Sequence, residues 1–73
     1  MNKYTCTCNS ENYLWRAVCI AKDAETAREM AAGHADRKWW GYGLAELKNW
    51  TVTLAEKSVP GPARVEEATY FGH

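Results

Sequence analysis

The sequence lacks a net charge and a long apolar segment. Its 73 residues carry nine Lys and Arg against nine Asp and Glu, and the two signs alternate along the chain. No basic stripe is present to attract a polyanion, which argues against general DNA binding. The longest apolar run is residues 17–21, and the N-terminus lacks the apolar region of a signal peptide. We therefore expect a cytoplasmic protein without a membrane segment.

Catalytic signatures are also missing. The sequence has no phosphate-binding loop and no metalloprotease pattern. Glu66 and Glu67 are neighbours on a predicted strand, where adjacent side chains point to opposite faces, so they do not form a carboxylate pair. Neither His34 nor His73 is placed by the sequence beside a thiol that it could activate. We therefore predict a protein that is not an enzyme and that needs no cofactor.

Cysteine is present in an odd number: Cys6, Cys8 and Cys19. In a cytoplasmic protein these residues are expected to be free thiols. Together with His34 they are the candidate ligands of a zinc ion. However, the single residue between Cys6 and Cys8 differs from the two-residue spacing of zinc knuckles, and small buried cysteines are common in cores. We predict no metal, with a small zinc-binding domain as an alternative.

The composition, with 47% hydrophobic residues, predicts one small globular domain over residues 1–73. Alternation over residues 3–8 and a β-rich run over residues 13–21 predict a hairpin closed by a four-residue loop. That register places Cys8 opposite Tyr13 and Cys6 opposite Trp15. It places Cys19 beyond the reach of the other two thiols.

A helix is predicted to follow the hairpin, capped at its start by Asp23. Alanines and Met30 fall on one stripe, which predicts close packing on a sheet. Gly33 is a stop signal, but the same stripe continues to Trp39. The sequence therefore leaves two possible C-terminal ends for this helix, Gly33 and Trp39.

Residues 44–47 are predicted to form a helical turn, residues 50–55 a third strand and residues 64–71 a fourth, with a turn at residues 59–62. On the fourth strand, Val65 is expected on the side opposite Ala68 and Tyr70. The order strand, strand, helix, strand, strand predicts an α+β fold in which the alanine-rich helix packs on one face of a small antiparallel sheet.

The second predicted strand is apolar on both sides. One side faces the helix in this fold, and the other carries Leu14, Val18 and Ile20. We therefore predict these three residues as a homodimer interface.

Two adjacent tryptophans, Trp39 and Trp40, lie in an aromatic and basic segment. Adjacent side chains diverge by about 100° on a helix and 180° on a strand, so one is expected in the core and the other towards solvent. Alternatively, both cover the open end of the sheet, with Gly41 and Gly43 allowing Tyr42 and Leu44 to fold inward. Tryptophan, tyrosine and arginine are enriched at binding hot spots. The predicted partner-binding residues are Arg37, Lys38, Trp39, Trp40 and Tyr42.

Two classes of partner are compatible with this segment. A protein partner is preferred, since aromatic and basic residues cluster in an otherwise neutral chain. Single-stranded nucleic acid is the alternative, because bases stack on exposed aromatic rings, but such platforms also need a positively charged groove.

The strand over residues 13–20 and the helix start over residues 22–28 resemble, in format, very small phage-encoded or mobile-element proteins. These pair a short antiparallel sheet with one alanine-rich helix, and they include anti-CRISPR and other anti-defence inhibitors. The resemblance implies a non-catalytic inhibitor in a bacterial host that occludes an effector surface or dimerises and bridges effector subunits. Many such inhibitors are acidic DNA mimics, whereas this neutral chain favours a mixed contact surface.

Overall fold

The computed structural model describes residues 1–72, which form an α+β fold. Its elements are β1 (Asn2–Ser10), β2 (Tyr13–Ala21), α1 (Ala24–Trp39), a 3₁₀ turn (Leu47–Asn49), β3 (Trp50–Glu56) and β4 (Arg64–Phe71). The strands form one antiparallel sheet in the order β3-β1-β2-β4. The hairpin is therefore central, and β3 and β4 are the edge strands. No helix among these residues is long and apolar enough to cross a membrane.

The β1–β2 hairpin is tighter than the sequence predicts. Its turn consists only of Glu11 and Asn12, whose φ angles of 51° and 70° are those of a type I′ connection. Cys8 consequently pairs with Trp15, and Cys6 pairs with Ala17. The predicted four-residue loop and its register are wrong, by two residues. Because side chains alternate with a period of two, the shift leaves every residue on its predicted face.

Helix α1 begins as predicted, with the Thr26 backbone N–H donating to Asp23 Oδ1 at 2.8 Å. It passes through Gly33 and ends at Trp39. The extension buries Ala35 against the sheet beside Ala31, and this burial outweighs the unfavourable helix propensity of glycine.

The core lies between the helix and the inner face of the sheet. The three cysteines have no exposed surface, and the Cys6 thiol donates to the Ala27 carbonyl oxygen at 3.7 Å. Small side chains therefore meet on both sides of this contact, as the alanine stripe predicts. The largest buried side chains, Trp15 and Trp50, lie towards the hairpin-turn end of the sheet, where they flank Cys8 in the register.

A bulge at Glu66 changes the faces of β4. Val18 pairs with Glu67, whereas Cys19 pairs with Val65, so Glu66 is an extra residue on β4. Val65 is thereby turned to the inner face and packs on the core together with Ala68. The expectation that these two residues lie on opposite sides is wrong, because one inserted residue reverses the alternation.

The outer face of the sheet is partly covered by charged side chains. The Glu66 carboxylate on β4 forms ion pairs with the Lys3 ammonium of β1, at 3.4 Å, and with the Arg64 guanidinium, at 2.9 Å. Because β2 lies between β1 and β4, the Lys3–Glu66 ion pair crosses over it at Ile20, which pairs with both Lys3 and Arg64. Ile20 has no exposed surface in the single chain and is not available to a second copy. Leu14 and Val18 are half-buried, and their role as an interface stays a prediction.

Candidate functional site

Five aromatic rings meet at the hairpin-turn end of the domain. We call them the aromatic cluster: Tyr13, Trp15, Trp39, Tyr42 and Tyr70. Trp15 is at its centre, with ring centroids 6.2 Å from Tyr13, 5.3 Å from Tyr42 and 5.2 Å from Tyr70. Trp39 contacts the cluster through Tyr70, with the two ring centroids 6.3 Å apart. The cluster thus draws on β2, the helix end, the loop after it and β4.

The strand register explains three of the five rings in this cluster. Trp15 and Tyr70 are direct partners across β2 and β4, where facing aromatic side chains attract each other. Tyr13 is one inward position nearer the hairpin turn and lies 5.9 Å from Tyr70.

A strained loop supplies the remaining tyrosine. Gly41, Tyr42 and Gly43 have φ angles of 96°, 59° and 71°. The left-handed region costs a non-glycine residue about 1–2 kcal/mol, so tertiary contacts must hold Tyr42 there. Its ring packs on Tyr13 and Trp15.

The loop is also fixed from its other end. Leu44 is fully buried, and its carbonyl oxygen accepts the Trp50 indole N–H at 2.8 Å. Asn49 Nδ2 donates to the Gly43 carbonyl oxygen at 2.9 Å. In place of the predicted helical turn over residues 44–47, the chain makes turns up to Glu46 and then the 3₁₀ turn. This loop presents Tyr42 in one defined position.

The tryptophan pair divides between core and solvent. Trp39, the last helical residue, is half-buried, packs on the core and has the Lys38 ammonium 4.8 Å from its ring centroid. Trp40 follows the helix and is 77% exposed. Arg37 and Lys38 are also exposed. Trp39 therefore belongs to the fold, and Trp40 is free to contact a partner.

Four aromatic side chains at this end are exposed, and we call them the aromatic surface: Trp40, Tyr42, Tyr70 and Phe71. The last three are 46%, 40% and 42% exposed. Phe71 points to the outer face of the sheet, where the Arg16 guanidinium lies 5.4 Å from its ring centroid. Sequence reasoning missed Tyr70 and Phe71, as well as Tyr13, which packs on Tyr70. Only the pairing of β4 with β2 brings these residues beside the predicted segment.

The centre of the cluster is held by packing alone. Trp15 Nε1 is buried and has no hydrogen-bond partner among residues 1–72, a situation that costs about 1–3 kcal/mol. Desolvation and the neighbouring Tyr13 and Tyr42 raise the pKa of Tyr70, so this phenol is neutral at physiological pH. The aromatic surface therefore presents neutral rings beside the cations Arg37 and Lys38.

The cysteines have a structural environment. Contrary to the predicted register, Cys19 is within reach of Cys6, and the two thiols hydrogen-bond. This hydrogen bond and burial raise the pKa of Cys19, and burial raises the pKa of Cys8. The same hydrogen bond lowers the pKa of Cys6. The neutral thiols of Cys8 and Cys19 are poor nucleophiles and poor metal ligands. Over residues 1–72, no three His, Cys, Asp or Glu side chains form a group that could hold a metal, so the set with His34 is not assembled.

The surface of the described chain, residues 1–72, contains no pocket. The group of exposed aromatic side chains, rather than a cleft, is therefore the candidate site. Comparison with protein-family models, with curated proteins and with solved structures finds no match for this chain.

Proposed function

We propose that this protein is a non-enzymatic protein-binding module whose contact site is the aromatic surface together with Arg37 and Lys38. The observation that carries the proposal is the convergence of four exposed aromatic side chains from the helix end, the following loop and β4. Single exposed apolar residues are normal, whereas several exposed aromatic side chains at one end of a small domain favour an interaction site.

The construction of the surface favours a protein partner. Tyr42 and Tyr70 rest on Trp15, and the loop is held by the Trp50 and Asn49 hydrogen bonds. Their rings are already ordered, so binding loses little side-chain entropy. Tryptophan, tyrosine and arginine are also the residues that contribute most at hot spots.

The charge distribution disfavours nucleic acid. The chain is neutral overall, and the cations next to the aromatic surface, Arg37, Lys38 and Arg16, do not amount to the positive groove that single-strand platforms use. The resemblance to small anti-defence proteins suggests a target class: an effector complex in the bacterial cytoplasm, inhibited by occlusion of one of its surfaces.

The test is affinity capture from nuclease-treated and untreated bacterial lysate, followed by titration of the captured protein. Trp40→Ala removes the most exposed ring, and Lys57→Ala is a control at the opposite end of the sheet. We expect Trp40→Ala to weaken binding by about 30-fold, the effect of losing a hot-spot residue of about 2 kcal/mol. Lys57→Ala should bind as the wild type does.

The salt dependence separates the two partner classes. An apolar protein contact should change little between low and moderate salt, whereas binding through phosphate neutralisation falls steeply. Nuclease-sensitive capture with a steep salt dependence would replace this proposal by single-strand binding. Equal affinity of wild type and Trp40→Ala would show that the aromatic surface is not the contact site.

A further inference from the structure

Residues 51–54 on the edge of β3 carry none of the features by which proteins protect a sheet edge. β3 is the first strand in the order β3-β1-β2-β4 and pairs only with β1. Its residues 51–55 read Thr-Val-Thr-Leu-Ala, without a charge or a proline. Exposed edges are normally blunted by lysine, proline or bulges, because their unpaired backbone groups are a template for another strand.

The other edge of the same sheet shows the contrast. β4 carries Arg64, Glu66 and Glu67, and its bulge at Glu66 interrupts the regular ladder. In β3 the register with β1 shifts only near the end of the strand. Tyr4 pairs with Leu54 and Lys3 pairs with Glu56, so Ala55 is the extra residue. Residues 50–54 are therefore a regular strand with Val52 at its midpoint. Its edge is free from Thr51 onward, because the Trp50 backbone N–H donates to the Leu47 carbonyl oxygen.

We propose that this edge pairs with the β3 edge of a second copy, antiparallel, about a two-fold axis at Val52. Val52 then faces its own counterpart, and Thr51 faces Thr53 of the other chain. On the helix side, Leu54 faces Trp50 of the other chain. Thr–Thr pairs are among the favourable cross-strand combinations, and Trp50 is only 3% exposed within its own core, so the self-complementary side-chain contacts are those of residues 51–53.

The exposure of Leu54 supports the same arrangement. This residue points to the helix side of the sheet, opposite Tyr4, yet it is 45% exposed. A strand added beside β3 would cover it. Because the pairing involves only five residues, its area is small, and we expect a dissociation constant in the micromolar range.

The dimer would be an eight-stranded sheet with the order β4-β2-β1-β3-β3-β1-β2-β4. The aromatic surface lies at the turn end of β2 and β4, away from the paired edge. The two-fold axis would therefore place one aromatic surface at each end of the assembly, both accessible. The proposal does not depend on what that surface binds.

The register can be tested with two variants that differ only in the sign of the charge at position 53. In Thr51→Lys/Thr53→Lys, each lysine faces a lysine of the second copy. In Thr51→Lys/Thr53→Glu, each lysine faces a glutamate. Both threonines are exposed, so both variants should fold, which far-UV circular dichroism verifies. The measurement is sedimentation equilibrium from low micromolar to near-millimolar protein.

For the wild type we expect the mass to rise with concentration from the 8.3 kDa monomer towards twice that value. Like charges directly opposite each other should weaken association by about fivefold per pair, hence about 25-fold in Thr51→Lys/Thr53→Lys. Thr51→Lys/Thr53→Glu should associate at least as tightly as the wild type.

Three results would overturn the proposal. A wild type that stays monomeric throughout shows that the edge does not self-associate. Equal association of all three proteins places the interface elsewhere, such as at Leu14 and Val18. Equal weakening of both variants shows that Thr51 does not face Thr53, and the register about Val52 is then wrong.

Discussion

Replacing each of the adjacent tryptophans separately by alanine should have opposite consequences for stability and binding. Trp40 is 77% exposed, and substitutions at exposed positions usually change the free energy of unfolding by less than about 0.5 kcal/mol. Trp40→Ala should therefore leave stability unchanged while it removes the partner contact proposed above.

Trp39→Ala should destabilise the domain. Fully buried tryptophan costs about 3–5 kcal/mol on truncation to alanine. Trp39 is half-buried, packs on the core and contacts Tyr70 and the Lys38 ammonium, so about half of that cost, about 2 kcal/mol, is expected. In a domain of this size, such a loss lowers Tm by roughly 8–16 °C.

The assay is urea unfolding followed by far-UV circular dichroism, because each variant loses a tryptophan and its fluorescence is not comparable. Low protein concentration keeps self-association from adding to the apparent stability. Trp39→Phe is the matched control, since it retains a ring against Tyr70 and should recover part of the loss. Equal destabilisation by the two alanine variants, or a larger loss for Trp40→Ala, would refute the division of roles.

Two further predictions concern the hairpin turn and the buried thiols. Glu11 and Asn12 have φ angles of 51° and 70°, and a type I′ turn prefers Asn-Gly at these two positions. The double variant Glu11→Asn/Asn12→Gly should therefore raise the urea midpoint by the equivalent of about 1 kcal/mol. A lower midpoint would contradict this turn. The raised pKa of Cys19 keeps its proton on the folded chain, whereas the unfolded thiol loses it above its ordinary value of 9.0. Above that value the free energy of unfolding should therefore fall by about 1.4 kcal/mol per pH unit. Urea titrations of wild type and Cys19→Ala should differ in this slope, and identical slopes would show that Cys19 is not responsible.

The hairpin shows which strand properties are readable from local sequence. The faces of β1 and β2 follow from alternation, and they survive the two-residue shift in register. The register itself depends on which residues form the turn. Asn9 and Ser10 are turn formers by type, but the structure places them in β1. Glu11 forms the turn instead, with a positive φ that is unusual for glutamate. The bulge at Glu66 has no local signal, because it results from how β4 fits against β2.

The candidate site divides in the same way. Composition indicates the segment with Arg37, Trp39, Trp40 and Tyr42, since aromatic and basic residues are adjacent there. It cannot indicate Tyr70, which reaches the segment only through the β2–β4 ladder. Nor does it distinguish Trp39 from Trp40, because that choice depends on where the helix ends.

The sequence by itself determined the α+β class, the alanine-rich helix face, the Asp23 cap and the inward positions of the cysteines and Trp15. These follow from periodicity and from short-range hydrogen bonding, which involve residues close in the chain. Only the tertiary structure decided the hairpin register, the helix end at Trp39, the Lys3–Glu66 ion pair over Ile20 and the aromatic cluster. Each depends on burial between elements distant in sequence, and that burial outweighs local preferences such as the helix stop at Gly33.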